Sequence, residues 1–135
     1  MKSKYFQVHE FVPRKMFNKY GEQAWRYVDI RLIETMDLIR ERFPLGIITI
    51  NNYFWGGNRL WSGIRTSDSP DYSYGSQHSF ANALDFVCSA YSADMVRSDI
   101  IMNQDIYKHV RGLEMNVSWC HLDVRNEDRL IQFSA

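Results

Sequence analysis

Cysteine, proline, long apolar runs and an excess of either charge are all scarce in this 135-residue chain, and each scarcity closes off a class of protein. Cys88 and Cys120 are too few for a disulfide scaffold and form no CxxC pair. The longest apolar runs are short, as in Gly46–Ile50, so none is long enough to span a bilayer as a helix and no membrane insertion is expected. The amino-terminal Met1-Lys2-Ser3-Lys4-Tyr5-Phe6-Gln7 has charge but no apolar stretch behind it, so no secretory signal is expected, and synthesis in a reducing cytoplasm is. Sixteen Lys and Arg balance sixteen Asp and Glu, which leaves no net basic footprint for nucleic acid. Repeats, low-complexity tracts and Gly/Ser linkers are missing too, so residues 1–135 read as one domain.

What is there supports a packed core. Apolar residues make up 45% and charged residues 24%, the balance of a folded domain. Aromatic residues reach 15%, which fits either a dense core or an aromatic-lined groove. Trp25, Val28, Leu32, Met36, Ile39 and Phe43 recur at three- and four-residue steps and predict a helix from about Glu22 to Phe43, stopped by Pro44. A second principal helix is expected from about Ala93 to Val110, with Ser92 as its N-cap and Gly112 beyond its end. Strands are expected at Ile47–Ile50, Leu60–Arg65, Asn82–Val87, Leu113–Val117, Trp119–Val124 and Leu130–Phe133, with a polar loop from Thr66 to Gly75. The mixture has no regular βαβ rhythm, which predicts an α+β domain with a mainly antiparallel sheet.

Four histidines occur, at positions 9, 78, 109 and 121. His78, Asp85 and His121 make a set of two imidazoles and one carboxylate, a common three-ligand zinc set that leaves a fourth position for water. Fully extended, the seven residues from His78 to Asp85 span ~23 Å, so the two can share an ion only if the chain turns between them. Ser79, Ala81, Asn82 and Ala83 permit that turn. On the strand around His121, alternation puts Trp119, His121, Asp123 and Arg125 on one face and Cys120, Leu122 and Val124 on the other. The same reasoning turns Cys88 and Cys120 away from the ion. On the residues alone, Arg65 reads equally as a salt-bridged strand-end residue, and Asp123 as a carboxylate that orients an imidazole. His9 reads as a surface residue, since Pro13 breaks any HExxH pattern, and His109 as a helix-end residue.

Three ordered motifs carry a resemblance: Ser62-Gly63-Ile64-Arg65-Thr66; Ser76-Gln77-His78 leading to Ala81-Asn82-Ala83-Leu84-Asp85-Phe86; and Trp119-Cys120-His121-Leu122-Asp123-Val124-Arg125. Together they resemble the zinc D-alanyl-D-alanine carboxypeptidase and L-alanyl-D-glutamate endopeptidase family, with its SGxR, SxHxxGxAxD and WxH pattern. The amino-terminal segment and the long helix are similar to the family's small phage-type branch of cell-wall lysins. The resemblance implies the hedgehog/DD-peptidase fold, one Zn2+ per chain on His78, Asp85 and His121, and peptidoglycan stem peptides as partners. It implies action at the bacterial cell wall or within a virion assembly.

Arg65 is then expected to reach the site as a catalytic group, with Asp123 or Glu114 handling the proton and Ser76, Gln77 and Trp119 contacting substrate. Two positions depart from the pattern. Ala81 replaces the usual Gly, which is tolerable at negative φ. Ser118 stands where well-studied members carry an acid three residues before the last histidine, and serine is a poor base for zinc-bound water. That second departure motivates a rival reading, a virion component that keeps the fold and has little or no turnover.

Overall fold

The computed structural model describes residues 2–134. Five short strands form one sheet in the order β1-β2-β4-β3-β5, where β1 is Ile48–Thr49, β2 Ala83–Cys88, β3 Gly112–Glu114, β4 Cys120–Asp123 and β5 Ile131–Phe133. All neighbours are antiparallel except β3 and β5. Three α-helices accompany the sheet: α1 (Arg14–Tyr20), α2 (Ile30–Arg42) and α3 (Ala93–Met102). The molecule is an α+β domain with a mainly antiparallel sheet, as the patterning requires.

Period-two alternation divides the sheet. Leu84 and Phe86 of β2, Leu113 of β3, and Cys120 and Leu122 of β4 belong to one buried cluster with Leu32, Ile33, Met36 and Ile39 of α2 and Val96 and Ile100 of α3. Asp85, His121 and Asp123 take the alternate positions. Each fully buried Leu, Ile or Phe contributes about 1.5–3 kcal/mol, so this apolar face fixes the register that gathers the polar one.

Several elements differ from their expected bounds. The helix expected over 22–43 divides: Gly21–Tyr27 is a 3-10 segment, Val28 is extended, and α2 starts after Asp29, whose carboxylate accepts from the Arg31 N–H at 2.9 Å. Trp25 and Val28 are buried in either conformation, so apolar spacing could not locate the break. The helix expected to reach Val110 stops at Met102, while Ser92 caps it as expected. Beyond Asn103 the chain continues in turns that still bury Tyr107 and Val110, which prolongs the apolar rhythm without a helix.

The short α1 was not anticipated; none of its seven residues is fully buried, and only Met16, Phe17 and Tyr20 pack partly against the core, a pattern too short to mark a helix. Leu60–Arg65 is not a strand. Its backbone groups pair irregularly: the Ile64 N–H donates to the Phe11 carbonyl and the Arg65 N–H to the His78 carbonyl, while the Ser62 carbonyl accepts from the Asp85 N–H of β2 at 2.7 Å. A Cβ at Gly63 would collide with the Phe11 carbonyl, so this position requires glycine on grounds of close approach.

Candidate metal centre

The site begins with a tight reversal. Between Ser76 and Asn82 the N–H groups of Ser79, Phe80, Ala81 and Asn82 donate back to the carbonyls of Ser76, Gln77, His78 and Gln77. These overlapping turns supply the reversal that the seven-residue spacing demands. They close with Ala81 at φ 61, so the condition of negative φ is not met: the backbone is left-handed, and an alanine side chain sits in a glycine-like conformation.

His78 thereby arrives from a loop beside Asp85 of β2, and Asp85 faces His121 of β4 as its direct cross-strand partner. Asp85 Oδ1 lies 3.2 Å from His78 Nε2 and 2.8 Å from His121 Nδ1. One donor atom from each of the three residues lies within 4.8 Å of the others. A tetrahedral ion with bonds of ~2.1 Å sets its donors ~3.4 Å apart, so the group can hold a metal ion with small adjustment.

Supporting bonds fix which nitrogen each imidazole offers. His78 Nδ1 donates to the Gly63 carbonyl at 2.9 Å, which leaves Nε2 toward Asp85. His121 Nε2 donates to Asp123 Oδ2 at 3.1 Å, which leaves Nδ1 toward Asp85. Outer hydrogen bonds of this kind orient metal-binding imidazoles. Asp123 is itself fully buried and gripped by Arg125, whose Nε and Nη2 each donate to it at 2.7 Å. Gly112 leaves room for that carboxylate, which a Cβ there would strike. Arg65 Nη2 donates to Asp85 Oδ2 at 3.0 Å, and its Nε is anchored on the Trp61 carbonyl at 2.8 Å.

Electrostatics bind the group further. Burial opposes the charge on Asp85, but hydrogen bonds from His121 and His78 outweigh it and hold the carboxyl well below the usual carboxylate range. Burial likewise works against Asp123, yet Arg125 and His121 bring it down to about 2. His121 is disfavoured as a cation by burial, but its bonds to Asp123 and Asp85 raise it to about 9. Without a metal, His121 is an imidazolium held between two carboxylates.

The other expected site residues divide. Trp119 is exposed and, with Arg59, Ser62, Asp85, Val87 and Ser118, lines a cavity of ≈ 220 Å³ beside the donor set. Ser76 lies behind His78, its hydroxyl accepting from the His78 N–H at 3.2 Å, and the Gln77 carbonyl closes the reversal. Glu114 is buried on β3, and the Gly112–Asp123 and Leu113–Leu122 pairs, continued by one residue, place it opposite His121. Cys88 and Cys120 are free thiols outside the donor group; Cys120 Sγ donates to the Ala93 carbonyl at 3.6 Å, and burial pushes its pKa up to about 12.

His9 is not a surface residue. It is buried, stacked on Phe54 with centroids 4.1 Å apart and met edge-on by Phe17, Tyr53 and Trp55. A helix-end role for His109 also fails, since α3 ends earlier; its Nε2 lies 2.8 Å from Glu34 Oε2, tying the segment to α2. Reading the sequence missed Arg59 and the Gly63 carbonyl. Arg59 follows a Gly-Gly-Asn turn with nothing to mark it, and its Nε donates to the Ile50 carbonyl at 2.7 Å. The grip of Arg125 on Asp123 was foreshadowed by the strand alternation alone. Among known proteins, no family model, no curated protein and no solved structure matches the chain.

Proposed function

We propose that this chain is a zinc-dependent peptidase acting on the peptide part of bacterial peptidoglycan, a cell-wall lysin of bacteriophage type. The observation that carries this reading is the convergence of His78 Nε2, Asp85 and His121 Nδ1, with Arg65 on the far oxygen of the same carboxylate. Two neutral imidazoles and a carboxylate suit Zn2+, and three protein ligands are the donor count of a catalytic rather than a structural site. Zinc held there supplies a Lewis acid and a water of lowered pKa. The chain's own residues do the rest. Arg65 offers a guanidinium to the charge that develops on the scissile carbonyl or to a substrate carboxylate.

Asp123 is a positioning residue, since its bond is to the nitrogen of His121 that turns away from Asp85 and both its oxygens are held by Arg125. Glu114, one residue beyond the Leu113–Leu122 pair of β3 and β4, is the acid we assign as the proton acceptor that Ser118 cannot be. Trp119 and Arg59 line the cavity into which a peptide would enter.

The test is digestion of purified peptidoglycan fragments by the zinc-loaded chain, with products read by mass spectrometry. Stem-peptide cleavage by wild type and none by His121→Ala is the expected result. A chain that carries zinc and leaves every fragment intact would overturn it in favour of the rival, a virion component without turnover, which the exposed Ser118 at the cavity rim favours.

A further inference from the structure

Helix α1 has two unlike sides. Met16, Phe17 and Tyr20 pack partly against the core. At 3.6 residues per turn, Arg14 and Asn18 form one row on the other side, and Lys15 and Lys19 form the row beside it. These four residues wall a cavity of ≈ 540 Å³, whose floor is apolar and built from Pro13, Leu60 and Trp61. Small-molecule sites commonly span ~300–1,000 Å³, so the volume suits a ring compound. This cavity shares no lining residue with the one of ≈ 220 Å³ at the metal centre.

The charge on this wall is uncompensated. Arg14, Lys15 and Lys19 are exposed and form no ion pair among the described residues. Arg14 rests over the Tyr53 ring at 5.1 Å and Lys19 over the Tyr20 ring at 5.3 Å, contacts that steady both side chains and leave their charge in place. Asp68 is the one acid on the lining, and its carboxylate already accepts from the Thr66 hydroxyl. Three cations facing one carboxylate favour an anion. Exposed cations alone hold a small anion weakly, because water and salt screen them. A half-buried indole beside them adds a flat apolar platform for the body of a larger ligand.

We propose that this cavity binds an organic phosphate, a ring compound lying on Trp61 and Leu60 with its phosphate held by Arg14, Lys15 and Lys19. A phosphomonoester carries about −1.5 to −2 charge and three acceptor oxygens, which matches three cations on two adjacent helix rows. A carboxylate offers less charge and fewer acceptors. Asn18, in the same row as Arg14, adds an amide N–H. Sugar phosphates and nucleotides share this chemistry. The site stands apart from the metal centre and does not rest on the peptidase reading.

Amide-shift titrations of the whole chain at low ionic strength test this with glucose 6-phosphate, AMP, glucose, adenosine and inorganic phosphate. Glucose 6-phosphate or AMP is expected to shift the Trp61 indole N–H and the amides of Arg14 to Lys19. The neutral parents and inorganic phosphate should leave them in place at the same concentration. Whichever ring phosphate binds more tightly identifies the source as sugar or nucleotide. Lys15→Gln and Lys19→Gln, both at exposed positions, should each weaken binding about five-fold. Repeating the titration after chelation separates this site from phosphate taken up by the metal centre, since shifts along α1 should be unchanged. Equal shifts from inorganic phosphate would mean an adventitious ion only, and equal shifts from glucose and adenosine would mean an apolar pocket that ignores phosphate. Either result overturns the proposal, as does the absence of shifts from both ring phosphates, or binding unaffected by both lysine variants.

Discussion

Ala81 shows how much a single backbone angle contributes to this site. Its left-handed φ closes the reversal that delivers His78, and an L-residue with a Cβ is held there at a cost of about 1–2 kcal/mol. Ala81→Gly should therefore stabilise the chain by about 1 kcal/mol, less some loss from the greater freedom of glycine when unfolded. Urea unfolding checks this, and a destabilised variant would contradict it. On the proposed reading, Asp123 and Glu114 would divide two roles that the motif alone left open. Asp123→Asn should weaken zinc binding by about 10–100-fold through loss of the Nε2 anchor. Glu114→Gln should keep zinc and lose turnover. Zinc titration beside a rate assay distinguishes them, and the reverse pattern would exchange their roles.

If His78, Asp85 and His121 hold an ion as proposed, His121 sets the pH dependence of its binding. Burial disfavours its cation, but Asp123 and Asp85 lift its pKa to about 9, so the metal-free chain carries the proton at neutral pH. The pair contacts then stabilise the metal-free fold fully below ~6.5 and lose that contribution as pH rises through about 9. Metal must displace the same proton. Affinity should rise with pH until about 9, with about one proton released per ion at neutral pH, measured by calorimetry in buffers of different ionisation enthalpy. An affinity flat across that range would contradict this assignment.

At the scale of elements, legibility followed burial. The strand around His121 was readable because its apolar and polar residues alternate, and Ser92 was readable as a cap from its side chain. The break at Asp29, the early end of α3 and the short α1 were not, because apolar spacing persists through 3-10 and turn segments and is too brief to read in the seven residues of α1. The pairing of residues across the sheet, which makes Asp85 and His121 neighbours, is a tertiary fact that alternation alone leaves open.

Helices α2 and α3 are tied by Arg42, which donates to both oxygens of Asp99 at 2.6 Å, with the Tyr107 hydroxyl joining at 2.5 Å. The Arg42 bond holds the Asp99 carboxyl below its usual range, so its stabilising contribution is present above ~3.9 and is lost as pH falls through the lower folded value. Urea midpoints measured at decreasing pH should fall more steeply for wild type than for Asp99→Asn. Parallel curves would mean that this ion pair adds nothing to acid stability.

On the scale of the whole molecule, an apolar face and a polar face of one small sheet do separate work. Leu84, Phe86 and Leu122 lock the register from within the core, and that register sets Asp85 against His121 on the opposite face. The loop from Ser62 to Asn82 then supplies Arg65, the Gly63 carbonyl and His78. The central claim is that this arrangement is a metal centre, and elemental analysis of the purified chain beside Asp85→Ala tests it most directly, with circular dichroism to show that both are folded. About one zinc per wild-type chain, lost in the variant, is the predicted result. A folded wild-type chain that takes up no zinc even after reconstitution would contradict it, and would leave the two histidines, Asp85 and Arg65 as a hydrogen-bonded structural cluster.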